Sequence, residues 1–449
     1  MKKTLKWAVI AVIVLVMLAL AAWIGWNAFD DTLDPRAAAY GAPRTVSMPA
    51  AENGHYAALG MSAPEGVDAI HHARAWFDER RAAARENRDE DRPLIEREPR
   101  PRLCDTTQVL CTVEAREKRD MLTAQLNAFR EDLARYEKLL AYTRYEEVMD
   151  YELRNGMQLP PYGGVLDGQR AYLTRIALTM NAGRIEDALT MLGREMAARR
   201  LMLEGSHTLL GKMIATSLYL RGLAFAADLL QHKAAELKPH AARLAVMVQP
   251  LDRAALKLDR AFETEFAWLV LGIQDPMRVR SARLDDSPYL EVYGSTLFYK
   301  KNATRNTLYE IFSAMGAASL APASHFPDAW RKVPAVPRFS EYGDFFDNPA
   351  GKMMMNIAMP SYDSFVRRIH DLDAFNRLVG LRIEMLAADV SAAGAQVFVE
   401  KSAARFYDPH SAKPVMWDAA SKRLSVPVSE DTVKRKYIFI DKGRAFAQL

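Results

Sequence analysis

The chain lacks a strong charge of either sign and has very little cysteine. Its 60 basic and 56 acidic residues give a net charge of +4 over 449 residues, so no large positive field attracts nucleic acid. Its 2 cysteines are too few for a disulfide scaffold or a four-thiolate zinc site. Only one apolar run is long enough to span a membrane, which argues against a polytopic protein. Because 50% of the residues are hydrophobic, a sizeable globular core remains expected.

The motifs of common enzymes are absent too. There is no Gly-x-Ser-x-Gly elbow, no Ser-x-x-Lys pair and no His-Glu-x-x-His zinc motif. The stretch from Gly205 to Met213 superficially matches a phosphate loop, but its glycines are one residue too far apart. Met213 also stands where Ser or Thr would hold magnesium. We therefore predict no catalytic residue, no metal ligand and no cofactor.

The nine histidines are scattered along the chain. His370 shares a predicted helix with Arg367 and Asp371, which the i, i+4 spacing brings together as an ordinary ion pair. General acid–base catalysis by His370 would need a pocket that the sequence does not show. Three others flank one helical pair, and a ligand role would require them to converge in the fold: His207, His232 and His240.

An uncharged stretch runs from Trp7 to Phe29. Its 23 residues would extend about 34 Å as a helix, enough to cross a hydrocarbon core of about 30 Å. Lysines precede the stretch and aspartates follow it, which predicts a cytoplasmic N-terminus and an external bulk. A cleaved signal peptide ending near Ala21 is one alternative, although the apolar run continues beyond that site. A buried soluble helix is the other, and we predict an uncleaved anchor.

Cys104 and Cys111, with six residues between them, follow this anchor. An oxidising compartment favours pairing them, and the short loop limits the stabilisation to about 2 kcal/mol. Two free thiols are the alternative, and a metal site would need further ligands that we cannot identify. We predict a disulfide between them.

The composition along the chain predicts five segments. Residues 1–6 form a cytoplasmic tail and 7–29 the transmembrane anchor. Residues 30–103 form an extended, charge-rich tether, because they are rich in Ala, Gly and Pro and then in charges of both signs. An α-helical domain over 104–395 and a small β-rich unit over 396–449 complete the chain. The fold class is thus mainly α, with an N-terminal transmembrane helix, a helical-hairpin bundle and a small C-terminal antiparallel β-unit.

Apolar residues recur at helical spacing through the central segment. The stripe from Leu122 to Leu140 predicts one helix of roughly 35 residues that ends near Gly156. Asn181-Ala-Gly183 predicts the turn of a helical hairpin. Further helices are predicted over residues 207–236, 241–272, 304–319 and 362–393.

Two aromatic or β-branched regions lie outside these helices. Short β-like runs at residues 396–399, 424–428 and 437–440 predict the strands of the C-terminal unit. Residues 320–350 contain many prolines and aromatic rings, and we favour packing on the helices over a partner-binding strip. The rings are those of Phe326, Trp330, Phe339, Tyr342, Phe345 and Phe346.

Three pieces of the sequence resemble segments of uncharacterised single-pass proteins of the bacterial envelope. They are Tyr299 to Thr304, Asp347 to Lys352, and Asp408-Pro409 through Lys413-Pro414 and Trp417. The resemblance implies a bacterial periplasmic setting and a mostly helical body. It carries no activity, so it assigns no functional residue.

These observations together predict an inner-membrane-anchored helical protein that faces the periplasm. We expect a non-catalytic scaffold that binds an unknown envelope protein, because helical hairpins often form concave partner surfaces; no nucleic acid is expected. The alternatives are a hydrolase-like envelope enzyme with a non-local active site, and a helical domain that binds a small molecule or lipid. An exposed aromatic patch would favour the scaffold, clustered titratable groups in a deep pocket the enzyme, and a dry cavity the binding domain.

Overall fold

The computed structural model describes residues 2–86, 101, 103–149, 160–273, 298–337, 346–359 and 361–449. Helices make up 66% and strands 5%, which confirms the mainly α fold with a small C-terminal antiparallel sheet. Helix α1 (Lys2–Ala28) is long and apolar enough to cross a membrane, and its apolar window is unburied. Leu209–His232 passes the same test of length and composition, but its window is 67% buried, as in the core helix of a globular body.

Helices follow α1 where the sequence predicted an extended tether. They are α2 (Pro35–Tyr40), α3 (Gly54–Leu59) and α4 (Ala69–Glu86). Ala58 and Leu59 are buried, and the ring of Tyr40 packs on Phe266 at 5.3 Å between centroids. Small side chains, which suggested a linker, instead allow this segment to pack closely on the body. The boundaries of the five predicted segments stay a prediction.

The single long helix predicted around Leu122 is wrong, because the structure has three helices there. They are α5 (Cys111–Glu117), α6 (Arg119–Asn127) and α7 (Arg130–Leu140). The chain bends at Lys118 and Phe129, whose backbone angles leave the helical region. The bends allow all three helices to contact α8 (Gly163–Asn181), so the apolar stripe is buried as predicted.

Helices α8 and α9 (Ile185–Gly205) form the predicted hairpin, with Gly183 in the left-handed region at φ +78°. Helix α10 (Leu209–His232) packs on α9, and the Thr208 side chain caps its N-terminus. The region predicted as one helix over 241–272 is divided into several. The helices that follow α10 are α11 (Ala234–Leu237), α12 (Ala241–Met247), α13 (Arg253–Leu256), α14 (Asp259–Ile273), α15 (Lys301–Ser319), α16 (Phe326–Trp330) and α17 (Pro349–Ala358).

Helix α18 (Asp363–Ala387) joins two hydrophobic cores. Its first half, with Val366 and Ile369, packs in the core of α14 and α15. Its second half, from Leu372 to Met385, packs in the larger core of α8, α9 and α10. Helix α18 therefore determines where the element that covers its second half lies relative to α10.

The C-terminal β-unit covers that second half. It contains α19 (Ala395–Ser402), α20 (Glu430–Val433) and strands β1 (Tyr407–Asp408), β2 (Lys413–Pro414), β3 (Met416–Asp418), β4 (Arg423–Pro427), β5 (Ile440–Asp441) and β6 (Arg444–Gln448). Four strands form an antiparallel sheet in the order β3-β4-β6-β5, which contacts α18. The strand predicted at residues 396–399 is wrong, because Ala395 and Val399 are buried one helical turn apart in α19.

Candidate functional site

The cavities of the described part of the chain that could receive a ligand include the following three. The one beside His207 holds about 30 Å³, room for about two water molecules. A groove of about 550 Å³ between residues 62–65 and 127–135 is open and bordered by charged side chains. The third, of about 250 Å³, lies between α10, α18 and the C-terminal β-unit. Of the three, only this last cavity offers mostly apolar walls that can take an apolar group out of water.

The apolar walls of this cavity come from elements that are distant in sequence. The rings of Phe375 on α18 and Phe439 in the β-unit stack at 4.3 Å between centroids, and Tyr437 stacks on Phe439 at 5.3 Å. These contacts fix the wall that the β-unit contributes. The apolar lining comprises Met213, Ile214, Leu220, Leu372, Phe375, Val428, Tyr437, Phe439 and Ala445.

Two arginines stand at the polar edge of the cavity. Arg368 comes from α18, and Arg435 follows α20. Arg368 Nε is buried without a hydrogen-bond partner, and neither guanidinium forms a hydrogen bond or close ion pair with a described residue. Burial, followed by the positive charge of Arg435, lowers the pKa of Arg368. A carboxylate or phosphate would satisfy these donors and cancel the repulsion between the two charges.

Asp371 closes the same polar edge by binding the β-unit. Its carboxylate accepts hydrogen bonds from Ser429 N at 3.1 Å, Ser429 Oγ at 2.5 Å and Thr432 Oγ1 at 2.7 Å. In addition, His410 Nε2 lies 3.1 Å from Asp371 Oδ1. Asp371 is the one carboxylate or imidazole among the described lining residues. Because its oxygens are already occupied, it is poorly suited to take a proton from a bound molecule.

His370 is turned away from the cavity. Its ring packs on Phe326 at 5.3 Å between centroids, and burial lowers its pKa to about 4, so the imidazole is neutral at neutral pH. The predicted pairing of Arg367 with Asp371 is wrong. Arg367 Nε donates instead to Asp363 at 3.0 Å, because Asp371 faces the β-unit.

The three other histidines of interest do not converge. Among the described residues, no group of His, Cys, Asp or Glu side chains is spaced to hold a metal ion. Each of the three histidines has a separate neighbour: His207 lies 2.9 Å from Arg260, His232 lies 3.8 Å from Asp228, and His240 lies 3.1 Å from Glu186.

The sulfur atoms of Cys104 and Cys111 lie at disulfide distance, with their Cα atoms 5.7 Å apart. Both side chains are buried. The loop between them reaches the C-terminal unit, where the Thr107 carbonyl accepts a hydrogen bond from Ile438 N at 3.0 Å. This contact lies beside the cavity residue Tyr437. The pair therefore has the geometry that the predicted disulfide needs, in a loop that supports the cavity wall.

Half of the aromatic strip at residues 320–350 can be located. Phe326 is buried, and its ring contacts Trp330 at 5.4 Å, which in turn lies 6.4 Å from Phe262. For these residues the expected packing on the helices is observed. The rings outside the described residues are Phe339, Tyr342 and Phe345.

Comparison of this chain with protein-family models, curated proteins and solved structures finds no match. The resemblance to envelope proteins stays a prediction, and the site is interpreted from its own chemistry. Arg368 and Arg435 were not predicted from the sequence as site residues. The available signal was the basic triplet Lys434-Arg435-Lys436, which does not indicate where on the fold it lies.

Proposed function

We propose that this chain is an inner-membrane-anchored protein whose periplasmic body binds a small amphipathic anion. The observation that carries the proposal is the pair of guanidinium groups of Arg368 and Arg435 at the edge of an apolar cavity, neither of which forms a hydrogen bond or close ion pair with a described residue. The cavity volume of about 250 Å³ is slightly below the roughly 300–1,000 Å³ of sites for drug-sized ligands. This size supports a short-chain carboxylate or phosphate over a long-chain lipid.

The two ends of the site act on different parts of such a ligand. The guanidinium groups would bind the anionic head, and the rings of Phe375 and Phe439 would contact the tail. Burial of each methylene contributes about 0.8 kcal/mol, so a tail of roughly seven methylenes adds about 6 kcal/mol before the costs of association. Because Asp371 is saturated with hydrogen bonds, we propose binding without chemical conversion.

Calorimetry on the full chain in lipid nanodiscs tests the binding, with empty nanodiscs as the reference. The probes are octanoate and octyl phosphate, with acetate lacking the tail and octanol lacking the anionic head. At least one of the first two should bind saturably, and both controls should bind far more weakly. The two heads distinguish a carboxylate site from a phosphate site.

Substitution of the arginines tests the assignment of the head group. The double variant Arg368→Gln, Arg435→Gln should lose most of the affinity, because each charged hydrogen bond contributes about 1.5–3 kcal/mol. Arg331→Gln, at an exposed arginine directly after α16, is the matched control and should bind normally. Equal affinity of the double variant and this control would refute the proposed site.

The topology needs a separate experiment. The charge asymmetry around α1 supports a cytoplasmic N-terminus. Alkaline phosphatase fused after Gly60 should therefore be active, and a reporter that requires the cytoplasm should be silent there. The opposite pattern would reverse the orientation.

The recruitment of an envelope protein remains a second proposal from the sequence. Its support is the helical-hairpin architecture. In the described part of the aromatic strip Phe326 and Trp330 are packed, and the one ring exposed there is that of Phe346. Affinity capture from solubilised membranes, compared with a capture of α1 alone, tests for a partner of the body.

A further inference from the structure

The C-terminal end of α1 is bonded directly to the body. Trp23 Nε1 and Asn27 Nδ2 both donate to the Phe346 carbonyl, at 3.0 Å and 2.8 Å. Trp26 Nε1 donates to Asp347 Oδ1 at 2.9 Å. Side chains on successive turns of the helix thus hold one short segment of the body.

A second group of bonds joins the residues after α1 to the start of α15. The Asp30 carboxylate accepts hydrogen bonds from Asn302 N at 2.7 Å and Ala303 N at 3.1 Å, as a cap from another segment would. Asn306 Nδ2 donates to the Thr32 carbonyl at 3.0 Å. The chain leaving α1 is therefore held in place along its next several residues.

Asn348 links both groups. Its backbone N donates to Asn27 Oδ1, its Oδ1 accepts from Lys300 N, and its Nδ2 donates to Thr304 Oγ1, each at 2.9 Å. Its left-handed backbone at φ +48° is one that Asn tolerates. A Cβ at Gly351 would overlap Thr304 Oγ1, so glycine is required there. We name this assembly of residues 23–34, 298–306 and 346–351 the exit collar.

Three aromatic rings of the exit collar are exposed. Phe29, Phe346 and Trp26 have 78%, 71% and 65% of their surface exposed. Phe346 is the one aromatic ring among the large exposed apolar side chains of the described residues after Phe29. Trp favours the headgroup layer at the ends of transmembrane helices, and exposed Phe rings beside it can bury at the boundary between headgroups and acyl chains. The fold places a ring of the body at the level where α1 would leave the lipid.

We propose that Trp26, Phe29 and Phe346 form a membrane-contact surface, which the exit collar holds in the headgroup layer. The body then sits directly on the lipid at one height instead of moving on a free tether. This inference rests on the proposed membrane anchoring and is independent of the ligand site.

The depth of Phe346 tests the contact. A fluorophore attached to Phe346→Cys is compared with one attached to Val246→Cys, a side chain of similar exposure, 68%, on the body. The native cysteines are buried and should not label. In phosphatidylcholine nanodiscs with brominated acyl chains, the label at 346 should lose most of its fluorescence and the label at 246 almost none. Failure of anchoring is recognised separately, because the chain would not incorporate into nanodiscs.

A matched pair of variants tests the exit collar. Asp30→Ala removes the cap of α15, whereas Asp31→Ala removes the neighbouring charge, whose carboxylate makes no hydrogen bond with a described residue. Asp30→Ala should reduce the quenching at 346 and lower the anisotropy of the label, and Asp31→Ala should change neither. Equal quenching of the labels at 346 and 246, in incorporated protein with native circular dichroism, would overturn the proposal.

Discussion

Removal of the Asp371 carboxylate should weaken the attachment of the C-terminal β-unit to α18. Asp371 is only 4% exposed and accepts three hydrogen bonds from the β-unit, through Ser429 N, Ser429 Oγ and Thr432 Oγ1. In Asp371→Ala these donors lose their acceptor in a buried place. The cavity wall that contains Phe439 would lose the hydrogen bonds that hold its polar edge to α18.

The magnitude follows from the number and type of these bonds. A hydrogen bond to a charged group contributes about 1.5–3 kcal/mol, so three independent bonds would contribute about 5–9 kcal/mol. Ser429 Oγ and Thr432 Oγ1 lie 3.3 Å apart and can bond each other once Asp371 is gone. We therefore expect Asp371→Ala to lower the free energy of unfolding by about 3–5 kcal/mol.

Denaturant unfolding and hydrogen exchange measure this effect. The matched control is Asp363→Ala on the same helix, which removes a local i, i+4 pair with Arg367 and a hydrogen bond from Ser361 Oγ. Because both contacts are partly exposed, their loss should cost about 1 kcal/mol. Amide exchange should accelerate around Ser429 and Thr432 in Asp371→Ala alone. If the two variants unfold at the same denaturant concentration and exchange alike, the hydrogen bonds to Asp371 contribute nothing to stability and the prediction is wrong.

Three other predictions concern the core, the pH dependence and the thiols. Glu195 and Arg199 form a fully buried pair at 3.3 Å, so either Glu195→Gln or Arg199→Met should cost about 3–5 kcal/mol in denaturant unfolding, and the double variant should cost less than the sum. Burial lowers the pKa of His370 to about 4 from 6.5, so the unfolded chain takes up the proton at a higher pH than the folded chain. The contribution of His370 to the free energy of unfolding should be full above pH 6.5 and fall toward pH 4 by up to about 1.4 kcal/mol per pH unit. His370→Gln should reduce this slope. Thiol labelling of the denatured, unreduced chain should find neither Cys104 nor Cys111 free, and quantitative labelling of both would contradict the disulfide.

Sequence reasoning succeeded where one element determines the outcome. The stripe from Leu122 to Leu140 is buried, and the turn at Gly183 joins two antiparallel helices. Both follow from local spacing and backbone preference. The same reasoning failed at Lys118 and Phe129, where the helix bends, because those bends serve contacts with α8 that no local pattern records.

The candidate site shows the same division. Arg368 and Asp371 lie on a helix that the sequence predicted, yet their partners were assigned wrongly or not at all. Asp371 accepts hydrogen bonds from Ser429 instead of forming the expected ion pair with Arg367. A distant segment can offer several donors to one buried carboxylate, and this outweighs one exposed pair along a helix.

The sequence by itself determined the helical class, the apolar N-terminal helix and the small C-terminal sheet, since periodicity and hydropathy act over a few neighbouring residues. Only the tertiary structure brought Arg368 and Arg435 to one cavity and seated Asn348 between Asn27 and Thr304. Those arrangements arise because buried polar groups must find partners wherever the folded chain supplies them. No single stretch of sequence specifies which distant residues become partners.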